Sequence, residues 1–585
     1  MGPMPSLSAA VFAVGFGYAT ACTTLVVGKA ASSDGSVMLT QSDDGENNAD
    51  ARLCFVPAKD FPAGSLHAIY YDTEDFPRYV GYDRGDCYFP QQGEKPQTPI
   101  GYIPEEEHTY AYFDSTYGLV NEHGVGIGES TCSGVFGTMA QGFGGQALLS
   151  IDALTRLALQ RTNTSREAVK LMGRLAEKHG FYGSDSFEGS AESLMVGDAD
   201  EAFIFHILPD PTGTSAIWVA RRVPDDEVGV VANMFVIREV DFNDSHSFLY
   251  SGSVVTVAEE KGWWRPGQPL DFTRVYSDGE YAHKYYSGRR VWGAYRLFGV
   301  PLPSNYTDLR YNAVYPVTAK PAESVEVRAL MAVYRDYYDD TEFDMRKGLA
   351  AGPWGNPDRW STRSSLPGNW ERSIGLFRTT SVHIVQCKRH GKGAVLWYAP
   401  HSAGASVFLP IFARGTAVPS AYKIADPNVL SRDSAYWAHR YVFNIAKIRY
   451  DRAINDVREV QAALEAEGVA MVLRLDNTPG AVGAAEFDRA SDELAANIME
   501  TYWGLPDQLV FKYADGFLKD GKPLGYPDWW LKQVGYERGP PAIPHECPDD
   551  VVEKCTGACH VKGFAACAKA CVDVCATSET PVVHI

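Results

Sequence analysis

The stretch ATACTTLVVGKAASSDGSVML runs from Ala19 to Leu39. It carries two β-strand patterns, TTLVVG and, continuing to Gln41, SVMLTQ, on either side of an Asp34-Gly35 hairpin signal. Immediately upstream, Leu7 to Ala21 is apolar or small, lacks any charge and closes with Ala19-Thr20-Ala21. Small residues at the third and first positions before Cys22 make a signal-peptidase pattern, so residues 1–21 read as a signal peptide. The run is shorter than the roughly 18 apolar residues of a membrane helix. Cleavage after Ala21 would leave Cys22 at the chain terminus with a free α-amino group.

A chain of 585 residues with 45% hydrophobic content can bury a large core. Its net charge of −20, spread along the whole length, argues against nucleic acid and anionic membrane surfaces as partners. No other apolar run has the length of a membrane span. Eleven cysteines are present, and setting Cys22 aside leaves an even ten, which after a signal peptide suggests disulfides. Asn163, Asn243 and Asn305 open N-x-S/T sequons, acceptors for glycans on a secretory route. The expected location is secreted or within an endomembrane, lysosome-like compartment.

Beyond the first hairpin, YGLV and VGIG form a second strand pair around the turn Asn121-Glu122-His123-Gly124. From Ala147 to about Gly180 the apolar period becomes helical, with a break at Asn163 and Ser165 as the cap of a second helix. Strands resume at Ser193–Val196, Ala202–Ile207, Ala216–Val223 and Glu227–Val231, and again at Thr379–Cys387 and Gly393–Tyr398. Between Ser245 and Asn369 the chain is rich in Tyr, Trp, Gly and Pro without clear periodicity, which predicts packed loops and short helices. Long helices follow Ser431. This order suits a layered α+β sandwich. The expected division is one domain over 22–540 and a cysteine-rich tail over 541–585. In that tail six cysteines from Cys547 to Cys575 read as three disulfides pinning a helical appendix, since a zinc module would more commonly show C-x2-C pairs.

A thiol becomes a strong nucleophile when a base takes its proton or a cation lowers its pKa from about 8.5. An N-terminal cysteine carries its own base, because its α-amino group lies a few ångströms from the sulfur. The plainer readings of Cys22 are a disulfide partner or a lipoprotein anchor, the latter weakened by Ala19 where a lipobox has Leu. His123 invites a Cys-His dyad but reads as a turn residue, since no cysteine has papain-type surroundings. No metal-binding, nucleotide-binding or serine-hydrolase motif sits in a fitting context, so no cofactor is implied.

Cys22-Thr23-Thr24, Val27-Gly28-Lys29 and Ser33-Asp34-Gly35-Ser36 resemble the opening of the dipeptidase A family of N-terminal-nucleophile (Ntn) cysteine peptidases, to which secernins are related. Further matches follow in order: YGLVNEHGV, ESLMVGD, the run from Thr214 to Phe242, NWERSIGLFRTTSVHIVQ and YWAHRYVFNIAKIRY. The resemblance implies a four-layer αββα sandwich presenting Cys22 in a cleft, with C-terminal helices, and short peptides as substrates. It places Asp43 where an aspartate orients the free amine, with the neighbouring Asp44 read as a solvated turn carboxylate. It places Asn233 as the oxyanion donor and Asn121 as a second donor or simply a turn builder. Many relatives have Arg-Asn where this chain has Thr40-Gln41, so the cation near the thiol is expected from Arg372 or else Arg378. The alternatives are an Ntn amidase for non-peptide amides and a catalytically silent secreted binding glycoprotein.

Overall fold

The computed structural model describes residues 22–45, 49–71, 76–91, 93–183, 189–279, 284–303, 315–360, 370–388, 392–519 and 521–538. The expected signal peptide, the tail cysteines and the Asn305 sequon lie outside these residues. Two compact units divide the chain, 1–524 and 525–585. The described part of the second carries the short helix Asp528–Gln533.

Two antiparallel sheets organise the large unit. The first has seven strands in the order Thr318–Ala319, Val228–Val231, Thr23–Val27, Val37–Asp43, Ser381–Cys387, Val395–Ala399 and Leu409–Phe412. The second has eight, ordered Phe248–Tyr250, Ala216–Arg222, Ala202–Pro209, Ala191–Gly197, Gly126–Cys132, Gly118–Asn121, Tyr112–Asp114 and Cys54–Val56. Alternation sets what each face buries. Along Ala202–Pro209, Phe203, Phe205 and Ile207 join the cluster shared with the helices Ile151–Arg161 and Ser165–His179, while Ile204 and Leu208 join the cluster shared with the first sheet. The helix pair sits close enough that a Cβ on Gly173 would come within 2.2 Å of the Trp218 ring.

Glycines also set the distance between the sheets. A Cβ on Gly128 would meet the Thr40 carbonyl oxygen at 2.3 Å and Thr24 Oγ1 at 2.8 Å, and one on Gly126 would meet Val385 at 2.7 Å. The first sheet is covered in turn by Tyr450–Asp476 and Ala484–Tyr513: Gly468 lies against Pro410 and Trp397, and Phe487 stacks on Phe412 at 4.6 Å. The molecule is thus of mixed helix and sheet, with helices packed against both sheets.

Most expected strands and both expected early helices are present within a few residues. The second helix is capped by Thr164, whose side chain accepts from Glu167 N, while the Ser165 hydroxyl turns to Asp198. The aperiodic region holds helices at Ser253–Glu260, Phe272–Tyr276, Arg289–Leu297 and Val327–Val333, short enough that three or four turns of apolar stripe never accumulate. Of the ten remaining cysteines, four lie among the described residues. Cys54 and Cys87 form a disulfide, whereas Cys132 and Cys387 are buried, each pointing its sulfur at a main-chain carbonyl. Asn163 and Asn243 are exposed.

Because the atom opposing Gly128 is a main-chain oxygen, Gly128→Ala has no soft neighbour to displace. It is expected to lower the unfolding free energy by about 2 kcal/mol or more. Urea denaturation of both proteins measures this, and equal midpoints would show that the sheets are not in contact there.

Candidate active site

The strand Thr23–Val27 pairs on both sides, Thr24 with Val231 and Thr23 with Ser42. Continuing those registers past Thr23 sets Cys22 across from Asn233 on one side and Asp43 on the other. Three residues expected at the site therefore lie in one row at the end of the first sheet, set by strand pairing for Asp43 and completed for Asn233, two residues past the last paired Val231, by bonds through Ser130 and Arg290. Cys22 is buried.

Asn233 has φ 51°, the left-handed region that asparagine tolerates better than most residues. Its main-chain N–H donates to Ser130 Oγ (2.9 Å), and Ser130 Oγ donates to the Cys22 carbonyl (3.1 Å). One side-chain amide hydrogen goes to the Thr131 carbonyl (2.6 Å). His206 steadies the following turn: its Nε2 accepts from Val236 N and Ile237 N, and its Nδ1 faces Ser193 Oγ. Burial drives the His206 pKa down to about 3, so it is a neutral scaffold.

Arg290, on the helix Arg289–Leu297, is a cation that touches this row. Its Nη1 donates to the Cys22 carbonyl and to Thr23 Oγ1, each at 2.9 Å, and its Nη2 donates to Asn233 Oδ1 at 2.7 Å. Burial, with Arg372 nearby, pulls its pKa down to about 10, which still leaves it charged at neutral pH. Arg290 binds the main chain of Cys22 and the side chain of Asn233 together.

Arg372 has a different partner. Its Nη2 pairs with Asp44 Oδ2 at 2.6 Å, and Asp44 also accepts from Ser42 Oγ at 3.1 Å and Thr379 Oγ1 at 2.5 Å. Asp44 is fully buried, which corrects its reading as a solvated turn carboxylate: the turn folds under the sheet end, and the ion pair compensates its desolvation. Arg378 donates to the Asp44 and Gly45 carbonyls and holds the same turn.

Asp43 is buried, and Thr116 Oγ1 donates to its Oδ2 at 2.6 Å. Its Oδ1 makes no hydrogen bond among the described residues. Burial, reinforced by Asp44, pushes its pKa up to about 6, so a cation arriving here would be welcome. Asn121 lies elsewhere in function. Both of its amide hydrogens go to the Leu159 and Thr162 carbonyls, and its Oδ1 accepts from His123 N and Val125 N. It ties the hairpin to a helix end and has no donor left for an oxyanion. His123 is an exposed turn residue with its ring against Tyr110.

Sequence reasoning missed Glu129. It is fully buried in the middle of the strand Gly126–Cys132, accepting from Gln41 Nε2 (3.0 Å) and Thr131 Oγ1 (2.8 Å), with Glu192 and Cys22 also in hydrogen-bonding reach. The signal was a carboxylate inside GIGESTC, a strand otherwise without charge.

The model of Peptidase family C69 matches residues 21–75 and 116–463. The chain belongs to this family. Among curated proteins it is similar to a probable dipeptidase of Salmonella dublin, 26% identical over 415 residues, covering 69% of this chain and 84% of that one. A probable dipeptidase A of Streptococcus pyogenes serotype M3 (strain SSI-1) is 26% identical over 484 residues, 77% of this chain and 88% of the relative. Dipeptidase A of Lactobacillus helveticus is 22% identical over 447 residues, 74% and 83% of the two chains. The C69 protein described here is a hydrolase acting on peptide bonds.

Burial raises the Glu129 pKa from 4.5 to about 7. The folded state therefore holds this proton more tightly than the unfolded chain. The associated stability is fully present below about pH 4.5 and is lost as the pH rises through 7, an effect on the order of 1–3 kcal/mol. Glu129→Gln should flatten the fall in unfolding free energy between pH 5 and 8 in urea titrations. Parallel slopes for the two proteins would show that Glu129 does not carry it.

Proposed function

We propose that this C69 hydrolase is a secreted or endomembrane cysteine dipeptidase with an αββα Ntn sandwich, acting through Cys22 as its first residue. The row Cys22, Asp43 and Asn233 across the first sheet carries this reading. The relatives named as dipeptidases, similar over most of their length, support dipeptides as substrates. Cleavage after Ala21 frees the α-amine opposite Asp43, whose buried Oδ1 suits an ammonium or amine hydrogen. The amine takes the thiol proton, and the thiolate attacks the scissile carbonyl. Arg290 holds the Asn233 side chain so that its second amide hydrogen meets the oxyanion. The amine returns the proton to the departing amino acid, a thioester on Cys22 remains, and water hydrolyses it to release the first amino acid and restore the thiol.

The test is a hydrolysis panel of dipeptides against acyl amides, with intact mass to define the N-terminus. Dipeptides are expected to turn over on a chain beginning at Cys22, and Cys22→Ala to abolish this. Asn233→Ala is expected to lower kcat by roughly 10²–10³-fold. Preference for acyl amides would support the amidase reading, and a blocked or different N-terminus would overturn the mechanism.

A further inference from the structure

The strand Val37–Asp43 carries Gln41 beside Cys22. Gln41 is fully enclosed between the sheets. Its Nε2 lies 3.8 Å from Cys22 Sγ, within donor reach of a sulfur, and 3.0 Å from Glu129 Oε2. Its Oε1 accepts from the main-chain N–H of Glu129 at 3.0 Å.

These contacts fix which way the amide faces. A side-chain amide turned by 180° would set its NH2 against the Glu129 main-chain N–H whatever the pH, and its carbonyl oxygen against the Glu129 carboxylate once that group is ionised, repulsive contacts in place of attractive ones. Main chain and side chain of the same glutamate therefore hold the nitrogen towards Cys22. One of its two hydrogens serves Glu129, and the other is directed to the sulfur.

The charges around that sulfur make such a donor matter. Glu129 and Glu192 from the second sheet, and Asp43 on the adjacent strand, oppose a thiolate. Asp44 is neutralised by Arg372, and Arg290 spends its nearest nitrogens on the Cys22 carbonyl, Thr23 and Asn233. The Tyr334 hydroxyl, from the end of the helix Val327–Val333, donates to the Thr23 carbonyl.

We propose that Gln41 is a catalytic residue, its clamped Nε2–H donating to Cys22 Sγ and stabilising the thiolate before attack. No proton moves through the amide. It supplies a neutral dipole at short range, where a second buried cation would carry a desolvation cost. The proposal rests on Cys22 being the nucleophile.

The test reads the sulfur rather than turnover. The rate of Cys22 alkylation by iodoacetamide is followed against pH on the processed full chain, with peptide mass distinguishing Cys22 from Cys132 and Cys387. In Gln41→Met, nearly isosteric and without donors, the midpoint is expected to rise by about one pH unit, slowing alkylation at pH 7 about tenfold. A matching loss in kcat/KM with KM within twofold of wild type would accompany it. Unchanged alkylation profiles in a folded Gln41→Met would overturn the proposal. Gln41→Leu provides a second donor-free chain if circular dichroism shows the first to be unfolded. In the wild type itself, a midpoint at or above about 8.5, the ordinary thiol value, would overturn it without any variant. Failure of the dipeptidase mechanism is seen separately, as dipeptide hydrolysis that survives Cys22→Ala.

Discussion

A one-residue slip of the strand Thr23–Val27 against either neighbour would move Cys22 out of line with Asp43 or Asn233 and turn alternate side chains to the opposite face. The rest of the structure resists that slip. Val26 and Leu39 are buried with the second sheet facing them, and Gly128 admits the Thr40 carbonyl and Thr24 at a distance no other residue would allow. The candidate site is thus held by backbone pairing in one sheet and by close approach of the other. Side chains refine a position that the strands already impose.

Electrostatics divides the site into two sides. Arg290 gathers the Cys22 carbonyl and Asn233, and Arg372 neutralises Asp44. Glu129, Glu192 and Asp43 supply buried carboxyl groups with raised proton affinity at Glu129 and Asp43. Burying so many ionisable groups costs stability unless each has a partner. The pattern of partners, with an Asp43 oxygen that makes no hydrogen bond among the described residues in the row of Cys22, is what a chain keeps where chemistry needs unsatisfied charge. Two buried cysteines contrast with this. Burial keeps the proton on the Cys387 sulfur, and the Cys132 sulfur lies against the Ser130 carbonyl and Ser193 Oγ.

Much of this was legible from local sequence. TTLVVG and SVMLTQ carry strand patterning, Asp34-Gly35 carries the turn, and the helices after Ala147 and Ser431 carry a 3.6-residue period, all properties of neighbours along the chain. Cys22, Asp43 and Asn233 could be singled out because motifs surround them. Arg290 could not, since it comes from a region without periodicity, and neither the interest of Gln41 nor the burial of Asp44 is encoded near those residues.

The sequence by itself determined the α and β segments, the turn histidine and the candidate nucleophile, because propensity, patterning and the chemistry of a cysteine after a small-residue site are local; Asp43 and Asn233 were reached only through resemblance to a family. Only the tertiary structure decided which arginine reaches Cys22, which carboxylates lose their water and which way the Gln41 amide faces. Desolvation and hydrogen-bond geometry depend on atoms brought together across tens to hundreds of residues, from 41 to 129 and from 22 to 290, and no spacing along the chain records such distances.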